Sequence, residues 1–550
     1  MKSLGQRLSQ QHAYRLLVIA VLGLGFFVRT WHFPSVPPGL NPDEAASAYE
    51  AFSLAETGCD KWGNSWPVYF PAWGSGQNVL LAYLSVPVIK VLGLSMVSTR
   101  LVSLVLGLLT LPLFFYCLRP VGRYPALLGL LLLAVAPWHL MLSRWGLESN
   151  LLPFWMLLGC TTLSRAISTQ RRRWIVPSLL PFALALYAYG ITFFVLPTLL
   201  ALVLVGCWRR IQQRLGAWLV ALGLFALLAA PLVLFSLENY MLGRNLVWTD
   251  KLFFSTPLLL ASRLGQDGHA GLRGLYETNT AFVASGFDDG AVYNQLLGYP
   301  LLLRFTWALA ALGFGTVLYR LKRAGRWLAE RPATVVVFVF WAWGVACGPL
   351  VVLFRLNVNR VNHFFLPCLV LASWLTSELI KNLKPQAPRK LIQQLTLVWF
   401  GLEGGLAARY YLLHYSEGEI KAQFNSGLSE AFRAVGQLPQ ASQVRITSQL
   451  SLNYVYTLYY LQYPPAQFQR EVQLEIVDGA YQVNKFNRYV FNDRYLTPGQ
   501  PYAYLARLGE VREDRDHHKT VSYSDEFWEV GMVQVGAVAP GEGGPRQSSK

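Results

Sequence analysis

The chain has 550 residues, of which 53% are hydrophobic and 14% charged, and its formal net charge is +17. Soluble domains carry about 25% charged residues, so this composition indicates a membrane protein. The basic residues recur in short clusters between apolar runs rather than in one patch, which argues against nucleic-acid binding. No C-x-x-C pair, Walker loop or G-x-G-x-x-G sequence occurs, so zinc, disulfide and nucleotide chemistry have no support.

About 20 apolar residues cross a bilayer as a helix. The first apolar segment is too long for a signal-peptide core, and we interpret it as a retained helix. Eleven such helices are predicted, with the long run 174–208 divided in two by a turn at 187–190. They lie near 14–30, 96–117, 124–143, 149–166, 174–189, 191–208, 215–236, 299–319, 333–354, 362–380 and 391–408.

The basic clusters between these segments predict the topology. They all fall on one face of the membrane only if the apolar run 78–92 does not cross it. We therefore predict a re-entrant or surface helix there and a cytoplasmic N-terminus. The loops and turns that then face away from the cytoplasm are 31–95, 144–148, 237–298 and 355–361, with everything after 409. The fold class is a mainly α, polytopic protein of the plasma (inner) membrane.

The chain changes character after the last apolar segment. We predict a transmembrane domain over 1–408, a small extracytoplasmic α/β domain over 409–538, and a disordered tail over 539–550 that is rich in Gly, Pro and Ser. Within the α/β domain the pattern predicts one amphipathic helix and two strands. These are at 417–437, 444–447 and 472–477.

The stretch Asn41-Pro42-Asp43-Glu44 follows the first helix. Asn at the N-cap, Pro at the first helical position and acids in the first turn are typical of a helix start. On that interpretation the acids only complement the helix dipole. Alternatively, the helix start holds Asp43 in the ionised state that a catalytic base needs. The two interpretations are compatible, and both stay open.

Further ionisable residues fall at helix ends on the same predicted face. Glu148 is either an interfacial anchor or a second acid that faces Asp43. Arg144 is either an anchor or an anion ligand. Arg355, Arg360 and His363 lie in a polar turn between apolar helices, where ordinary solvation competes with anion binding. Weaker candidates for a substrate contact are Arg244, Asp60, Lys61 and Tyr189, and Asp288-Asp289 is interpreted as a plain turn.

This pattern resembles the GT-C superfamily of membrane glycosyltransferases, and within it the protein O-mannosyltransferase and aminoarabinose-transferase-like group (glycosyltransferase family 39). The resemblance covers most of 10–410 as an architecture. It is carried by Asp43-Glu44, by Gly58…Asp60…Gly63…Pro67, by Ser143-Arg144-Trp145-Gly146-Leu147-Glu148 with the residues up to Pro153, and by Arg360…His363-Phe364-Phe365-Leu366-Pro367.

The resemblance implies an inverting transfer of a monosaccharide from a polyprenyl-phosphate carrier to an extracytoplasmic hydroxyl of a glycan, lipid or protein. Asp43 would be the general base, with Glu44 and Glu148 as further catalytic acids. The donor phosphate would be bound by Arg144 and Arg360, with Arg355, His363 and Arg244, and the acceptor by Asp60, Lys61 and Tyr189. No cofactor is required. Either a divalent metal or the arginines could neutralise the phosphate.

Three other functions remain open. A polysaccharide polymerase or ligase would take a lipid-linked oligosaccharide and depend on basic residues of the large loop rather than on Asp43. A transporter or lipid flippase usually has matching halves, which this sequence lacks. A non-catalytic scaffold would bind a partner through its outer domain. The first loop has no Lys-Pro-Pro element, so aminoarabinose specificity is not supported.

Overall fold

The structure of the protein is a computed structural model. It describes residues 4–72, 75–243, 271–323, 331–384, 388–439, 442–477, 480–512 and 517–535. Arg244 and the predicted tail 539–550 lie outside these residues.

Helices make up the chain as far as His414, apart from a hairpin in the first loop. The helices before the large loop are α1 (Leu4–Thr30), α2 (Pro42–Thr57), α3 (Leu80–Leu92), α4 (Met96–Leu118), α5 (Arg123–Val135), α6 (Pro137–Leu142), α7 (Leu152–Thr169), α8 (Arg172–Ile175), α9 (Leu180–Ala188), α10 (Thr192–Ile211) and α11 (Leu215–Leu237). Those after it are α12 (Gly271–Ala284), α13 (Thr306–Arg323), α14 (Pro332–Ala346), α15 (Leu350–Leu353), α16 (Val358–Val361), α17 (Phe365–Lys381) and α18 (Arg389–His414).

Each of the eleven apolar segments coincides with a helix or an interrupted helix. The predicted division at 187–190 is confirmed, because α9 ends at Ala188 and α10 begins at Thr192. Among the described residues, six helices are long and apolar enough to cross a membrane, and one of them, Thr192–Leu242, has 51 residues. The number of eleven crossings stays a prediction.

The centre of the bundle is formed by α5 and α17, which pack against each other and are buried along most of their length. The helix α5 ends at the junction between Ala136 and Pro137, since proline has no backbone N–H to donate. Arg29 of α1 donates to the freed carbonyls of Leu133 (3.0 Å) and Ala134 (2.7 Å). A buried arginine therefore replaces the hydrogen bonds that the proline removes.

The first loop is folded onto the bundle. After α2 it forms an antiparallel hairpin of β1 (Tyr69–Ala72) and β2 (Ser75–Asn78), followed by α3. The 13 residues of α3 are about 20 Å long, which is shorter than the bilayer core of about 30 Å. The helix packs against α2 and α4. Its surface or re-entrant position stays a prediction.

The chain after α18 forms an α/β unit. Its helices are α19 (Glu419–Gln423), α20 (Leu428–Gly436), α21 (Asn453–Tyr460) and α22 (Pro465–Glu471), and its strands are β3 (Gln443–Ile446), β4 (Gln473–Val477), β5 (Ala480–Phe486), β6 (Tyr489–Val490), β7 (Tyr502–Arg507), β8 (His517–Ser524) and β9 (Trp528–Val535). The sheet has the order β4-β5-β6-β3-β7-β9-β8, with β3 parallel to both of its neighbours.

The two predicted strands of this unit are confirmed as β3 and β4, within one residue at each end. The predicted helix 417–437 is two helices, because the chain turns at 424–427 and reaches positive φ at Asn425 and Gly427. The other five strands were not predicted. Several are short or alternate weakly, which leaves little periodic signal in the sequence.

The α/β unit is docked on the first loop. The hydroxyl of Tyr456 donates to the carbonyl of Leu40 (3.0 Å), and the hydroxyl of Tyr49 donates to the carbonyl of Tyr463 (2.7 Å). The helices α21 and α22 both pack against α2. The first loop and the α/β unit therefore share one end of the bundle, which we call the loop end.

The opposite end carries the basic clusters, and we call it the basic end. There the hydroxyl of Tyr14 donates to the carbonyl of Arg123 (3.1 Å), and the guanidinium of Arg165 lies 4.4 Å from the ring centre of Tyr116. This segregation agrees with the positive-inside pattern, which would place the basic end in the cytoplasm.

Candidate active site

The predicted helix start at Asn41 is confirmed. The side chain of Asn41 accepts a hydrogen bond from the backbone N–H of Asp43 (3.0 Å), and Pro42 is the first residue of α2. The carboxylate of Glu44 accepts from the backbone N–H of Asn41 (3.1 Å), which completes a capping box. Asp43 is half-buried, and this cap fixes its position.

Glu44 is fully buried in a network that also contains Arg100 of α4. Two nitrogens of Arg100 donate to the two carboxylate oxygens of Glu44, each at 2.8 Å. The backbone N–H of Gly146 donates to the same carboxylate at 2.7 Å. Arg100 also donates to three loop carbonyls, those of Pro34, Pro37 and Gly39, at 2.6, 2.7 and 2.7 Å. We call Glu44, Arg100 and Gly146 the Arg100 cluster.

The Arg100 cluster explains the glycine in the Arg-Trp-Gly-Leu-Glu segment. A Cβ atom at Gly146 would lie 2.7 Å from the carbonyl oxygen of Thr99, which no side chain tolerates without a backbone shift. The absence of a side chain lets the turn at 144–148 approach α4 and donate to Glu44. The acidic pair is therefore attached directly to that turn.

Asp43 is linked to the segment 288–294 through Tyr293. Burial raises the pKa of Tyr293, and the charges of Asp289 and Asp43 raise it further. The carboxylate of Asp289 in turn accepts hydrogen bonds from the side chain of Asn294 (2.8 Å) and the backbone N–H of Val358 (2.9 Å). The segment 288–294 therefore carries a tyrosine that is influenced by Asp43 and an aspartate that binds the turn at 355–361.

The large cavity of the loop end has a volume of about 590 Å³. Its walls come from the hairpin β1–β2, the turn between α9 and α10, the end of α11 and the turn at 355–361. The lining residues are Tyr69, Asn78, Glu148, Tyr189, Gly190, Ile191, Phe193, Phe194, Leu232, Val233, Phe235, Ser236, Leu237, Tyr240, Met241, Phe354 and Arg360. The cavity brings together three predicted site residues: Glu148, Tyr189 and Arg360.

The charged residues of this cavity are held by the backbone. Glu148 is 5% exposed and accepts a hydrogen bond from the backbone N–H of Asn78 at 2.6 Å. Arg360 is half-buried and donates to the backbone carbonyl of Arg355 at 2.5 Å. A carboxylate and a guanidinium thus line a cavity whose walls are otherwise largely apolar. Such a cavity can hold an apolar chain with a charged head.

Arg144 is not among the residues that line this cavity in the described part of the chain. It is fully buried and donates to the backbone carbonyls of Val36 (3.1 Å), Val28 (3.2 Å) and Arg29 (2.8 Å). Its guanidinium also lies 5.8 Å from the ring centre of Tyr411. Two of these carbonyls belong to the last turn of α1, so Arg144 caps the end of that helix.

His363 and Arg355 also lie apart from the described cavity lining. His363 is fully buried, and its Nδ1 atom accepts a hydrogen bond from the indole N–H of Trp343 (3.0 Å), with the two rings parallel. Arg355 is exposed, and its contact with Arg360 is through the backbone carbonyl. Arg244 lies outside the described residues.

Asp60 and Lys61 are buried beneath the α/β unit. Lys61 forms an ion pair with Glu50 of α2. Asp60 accepts hydrogen bonds from the backbone N–H groups of Trp62 (2.9 Å) and Asn64 (2.8 Å). Burial and the neighbouring Glu50 raise the pKa of Asp60 to about 7. The structure places both residues in the interface between the first loop and the α/β unit, where neither lines the cavity.

Three residues of the site were missed from the sequence. Arg100 left a signal, since an arginine near the start of an apolar helix is costly without a partner. Tyr69 lines the cavity from a hairpin that has no hydrophobic periodicity. Asp289 belongs to a segment that was interpreted as a plain turn, yet it binds the backbone of the turn at 355–361.

The described residues contain no group of three or more His, Cys, Asp or Glu side chains that could hold a metal ion. Whether a metal takes part therefore stays open.

Residues 77–235 match the family model described as dolichyl-phosphate-mannose-protein mannosyltransferase. No curated protein sequence matches the chain. The matched segment runs from the hairpin of the first loop to the end of α11, and it contains Glu148 and most of the cavity wall.

Two solved structures have a similar fold over nearly their whole length. Both are of ArnT from Cupriavidus metallidurans, one bound to undecaprenyl phosphate and one in the apo state. Each is 14% identical, with a TM-score of 0.55, and the alignments cover 94% and 95% of this chain and 98% of ArnT. The archaeal oligosaccharyltransferase AglB from Archaeoglobus fulgidus is 11% identical over 82% of this chain and 64% of its own, with a TM-score of 0.45. Residues 77–235 thus match a glycosyltransferase family model, and nearly the whole chain has the fold of ArnT.

Proposed function

We propose that the protein transfers a monosaccharide from a polyprenyl-phosphate carrier to an acceptor hydroxyl, with inversion at the anomeric carbon and Asp43 as the general base. The observation that carries the proposal is the cavity of about 590 Å³ at the loop end, whose largely apolar walls include the charged residues Glu148 and Arg360. One of the ArnT structures is bound to undecaprenyl phosphate. A polyprenyl phosphate has the same two parts as the cavity, an apolar chain and an anionic head.

In the proposed reaction the acceptor hydroxyl lies between Asp43 and the sugar. Its oxygen attacks the anomeric carbon while its proton passes to Asp43. The bond between that carbon and the phosphate oxygen breaks, and the polyprenyl phosphate leaves with the electron pair. Arg360 stabilises the charge that develops on the phosphate. A direct displacement of this kind inverts the anomeric carbon.

The other predicted residues take different roles in this proposal. Glu148 orients the sugar or the acceptor, since its carboxylate faces the cavity. Glu44 and Arg144 are positioning residues, because their charged groups are buried and bind Arg100 or backbone carbonyls rather than the cavity. Asp60 and Lys61 hold the α/β unit on the first loop.

We further propose that the loop end faces away from the cytoplasm in the plasma membrane. The clustering of basic residues at the other end supports this orientation. The acceptor, whether glycan, lipid or protein, would then reach Asp43 from outside the cell. The α/β unit stands beside this approach because it is docked on the loop that carries Asp43.

The substitution Asp43→Asn tests the proposal. Cells that lack the protein are complemented with wild type, Asp43→Asn or Glu56→Gln, and their glycans and glycolipids are compared by mass spectrometry. Glu56 is an exposed acid in the last turn of the same helix and serves as the matched control. General-base catalysis contributes about 10²–10⁴-fold, so Asp43→Asn should reduce the product by at least about 10²-fold. Glu56→Gln should not reduce it.

A binding measurement distinguishes loss of the catalytic base from loss of the carrier site. Undecaprenyl phosphate is titrated against the purified full chain, and Asp43→Asn should bind it as wild type does. Product formation by Asp43→Asn at the wild-type level would refute the assignment of the base. Products that differ by whole oligosaccharides rather than by one sugar would favour a polymerase or ligase. Lipid movement across liposomes without any sugar transfer would favour a flippase.

A further inference from the structure

A second cavity lies at the basic end of the protein, between the ends of α4 and α7 and the start of α14. Its volume is about 90 Å³. We propose that it binds a phosphate group, supplied either by the headgroup of an anionic lipid or by free phosphate. The inference concerns the opposite end of the molecule from the candidate active site and does not depend on the proposed reaction.

One face of α7 supplies most of the polar lining. The residues are Thr161, Ser164, Arg165, Ser168 and Thr169. The last four follow Thr161 by three, four, seven and eight positions. This spacing places all five on one side of the helix. The helix belongs to a candidate membrane span, where polar side chains are costly unless they have a use. The face is turned towards α4 and α14, where the cavity lies.

Ser164 gives a second, independent reason to expect a ligand. Its side chain is 2% exposed, and its hydroxyl makes no hydrogen bond within the described part of the chain. Buried hydroxyl groups nearly always have a hydrogen-bond partner. Because Ser164 lines the cavity, a ligand there could supply that partner.

The charges around the cavity favour an anion. Arg165 lines it, and its guanidinium lies 4.4 Å from the ring centre of Tyr116, a contact that orients the planar group. The 15-residue helix α14 begins at Pro332 in the cavity wall, and its N-cap residue Arg331 gives no side-chain cap. The positive end of this helix dipole therefore adjoins the cavity.

The chemistry and size of the cavity favour phosphate over other anions. Arginine binds phosphate with two parallel hydrogen bonds, and serine and threonine hydroxyls donate to the remaining oxygens. None of the described lining residues is acidic. The volume of about 90 Å³ admits one compact tetrahedral group.

Native mass spectrometry of the purified full chain tests the inference. Phosphatidic acid, which has an exposed phosphate monoester, is titrated against phosphatidylcholine. Wild type should prefer phosphatidic acid by about tenfold or more. Loss of a charge-assisted contact in Arg165→Gln should weaken this binding about tenfold, and Ser164→Ala about threefold. Arg172→Gln, an exposed arginine at the same end, should stay within about twofold of wild type because it does not line the cavity.

Two further arms complete the test. Ser164→Val fills the cavity without removing a charge and should weaken binding about as much as Arg165→Gln, so a folding defect in one variant does not decide the result. Excess inorganic phosphate should displace the lipid if free phosphate is the ligand and should leave it bound if the headgroup is. Equal binding by wild type, Arg165→Gln and Ser164→Val would overturn the inference. So would an equal loss in Arg172→Gln, which would show diffuse charge attraction.

Discussion

The loop end contains two groups of charged residues that look alike in sequence and differ in structure. In the Arg100 cluster, Glu44 and Arg100 bind each other and the surrounding backbone, and both are fully buried. In the large cavity, Glu148 accepts a hydrogen bond from the backbone of Asn78, Arg360 donates one to the backbone of Arg355, and both side chains line the cavity. Each group contains one glutamate and one arginine, but an ion pair between the two is seen for Glu44 and Arg100.

The difference teaches how to separate positioning residues from binding residues. A buried charge whose hydrogen-bonding groups are all occupied by the protein has none left for a substrate. A charged side chain that is positioned by the backbone and lines a cavity is within reach of a ligand. By this criterion the Arg100 cluster is framework, and Glu148 and Arg360, which line the cavity, are the proposed binding groups. Arg144 binds backbone carbonyls through Nε and Nη1, whereas its Nη2 atom has no hydrogen-bond partner among the described residues, so its assignment to the framework rests on its absence from the cavity lining. The three predictions below test this division.

The largest effect is expected from Arg100→Ala. It leaves the buried carboxylate of Glu44 without its partner, which typically costs about 3–5 kcal/mol. We expect a large fall in thermal stability in detergent and a parallel loss of activity, since the loop carrying Asp43 loses five hydrogen bonds from Arg100.

The double variant Glu44→Gln/Arg100→Met is the control for this prediction. It removes both charges, so it should be more stable than Arg100→Ala while remaining inactive. If Arg100→Ala kept the wild-type stability and lost only activity, Arg100 would be a binding residue and the division would fail.

A smaller effect, and a sharper contrast, is expected from the pair Arg360→Gln and Arg144→Gln. Arg360→Gln should raise the KM for the lipid donor by about 10- to 100-fold, because one charge-assisted contact contributes about 1.5–3 kcal/mol. Its thermal stability should stay close to that of wild type. Arg144→Gln should lower the stability, since the end of α1 loses its cap.

The KM for the lipid donor and the thermal stability are measured on the same preparation of each variant. A lower affinity for undecaprenyl phosphate in Arg144→Gln at unchanged stability would return Arg144 to the role of a phosphate ligand that the sequence suggested. Arg360→Lys is the matched control for Arg360→Gln. It keeps the charge but loses the planar fork, so its KM should lie between those of wild type and Arg360→Gln.

Much of the fold could be predicted from the sequence because the bilayer dictates it. Apolar length located the helices of the eleven apolar segments, and the turn at 187–190 was found from its residues. The breaks inside segments were harder, since the effect of Pro137 depends on Arg29, which is more than 100 positions away. The sheet was mostly missed because short strands of a mixed sheet depend on partners distant in sequence.

The candidate site was predicted only in part, for a related reason. The local signal of Asn41-Pro42-Asp43-Glu44 correctly indicated a helix start. It could not indicate that Glu44 points to Arg100, 56 positions later. Arg144 and Arg360 are equivalent in sequence, as both are polar residues at helix ends. Only the three-dimensional contacts show that one binds carbonyls of α1 and the other lines the cavity.

The smallest expected effect concerns Asp60, which shares properties with both groups of charged residues. It is buried and hydrogen-bonded as in the Arg100 cluster, yet burial and Glu50 raise its pKa to about 7. The ordinary pKa of the group is 3.8, so between these values the folded protein holds a proton that the unfolded chain has lost. Stability from this group is therefore present at low pH and is lost as the pH rises towards 7.

Asp60→Asn, which is neutral and of nearly the same shape, should remove this part of the pH dependence. The loss in wild type should be at most about 1.4 kcal/mol per pH unit for one proton. Thermal unfolding of wild type, Asp60→Asn and the exposed control Asp288→Asn is compared from pH 5 to pH 8. Wild type and Asp288→Asn should lose stability across this range more steeply than Asp60→Asn. Identical slopes for all three would mean that Asp60 is ionised throughout, and it would then belong with the fully engaged charges of the framework.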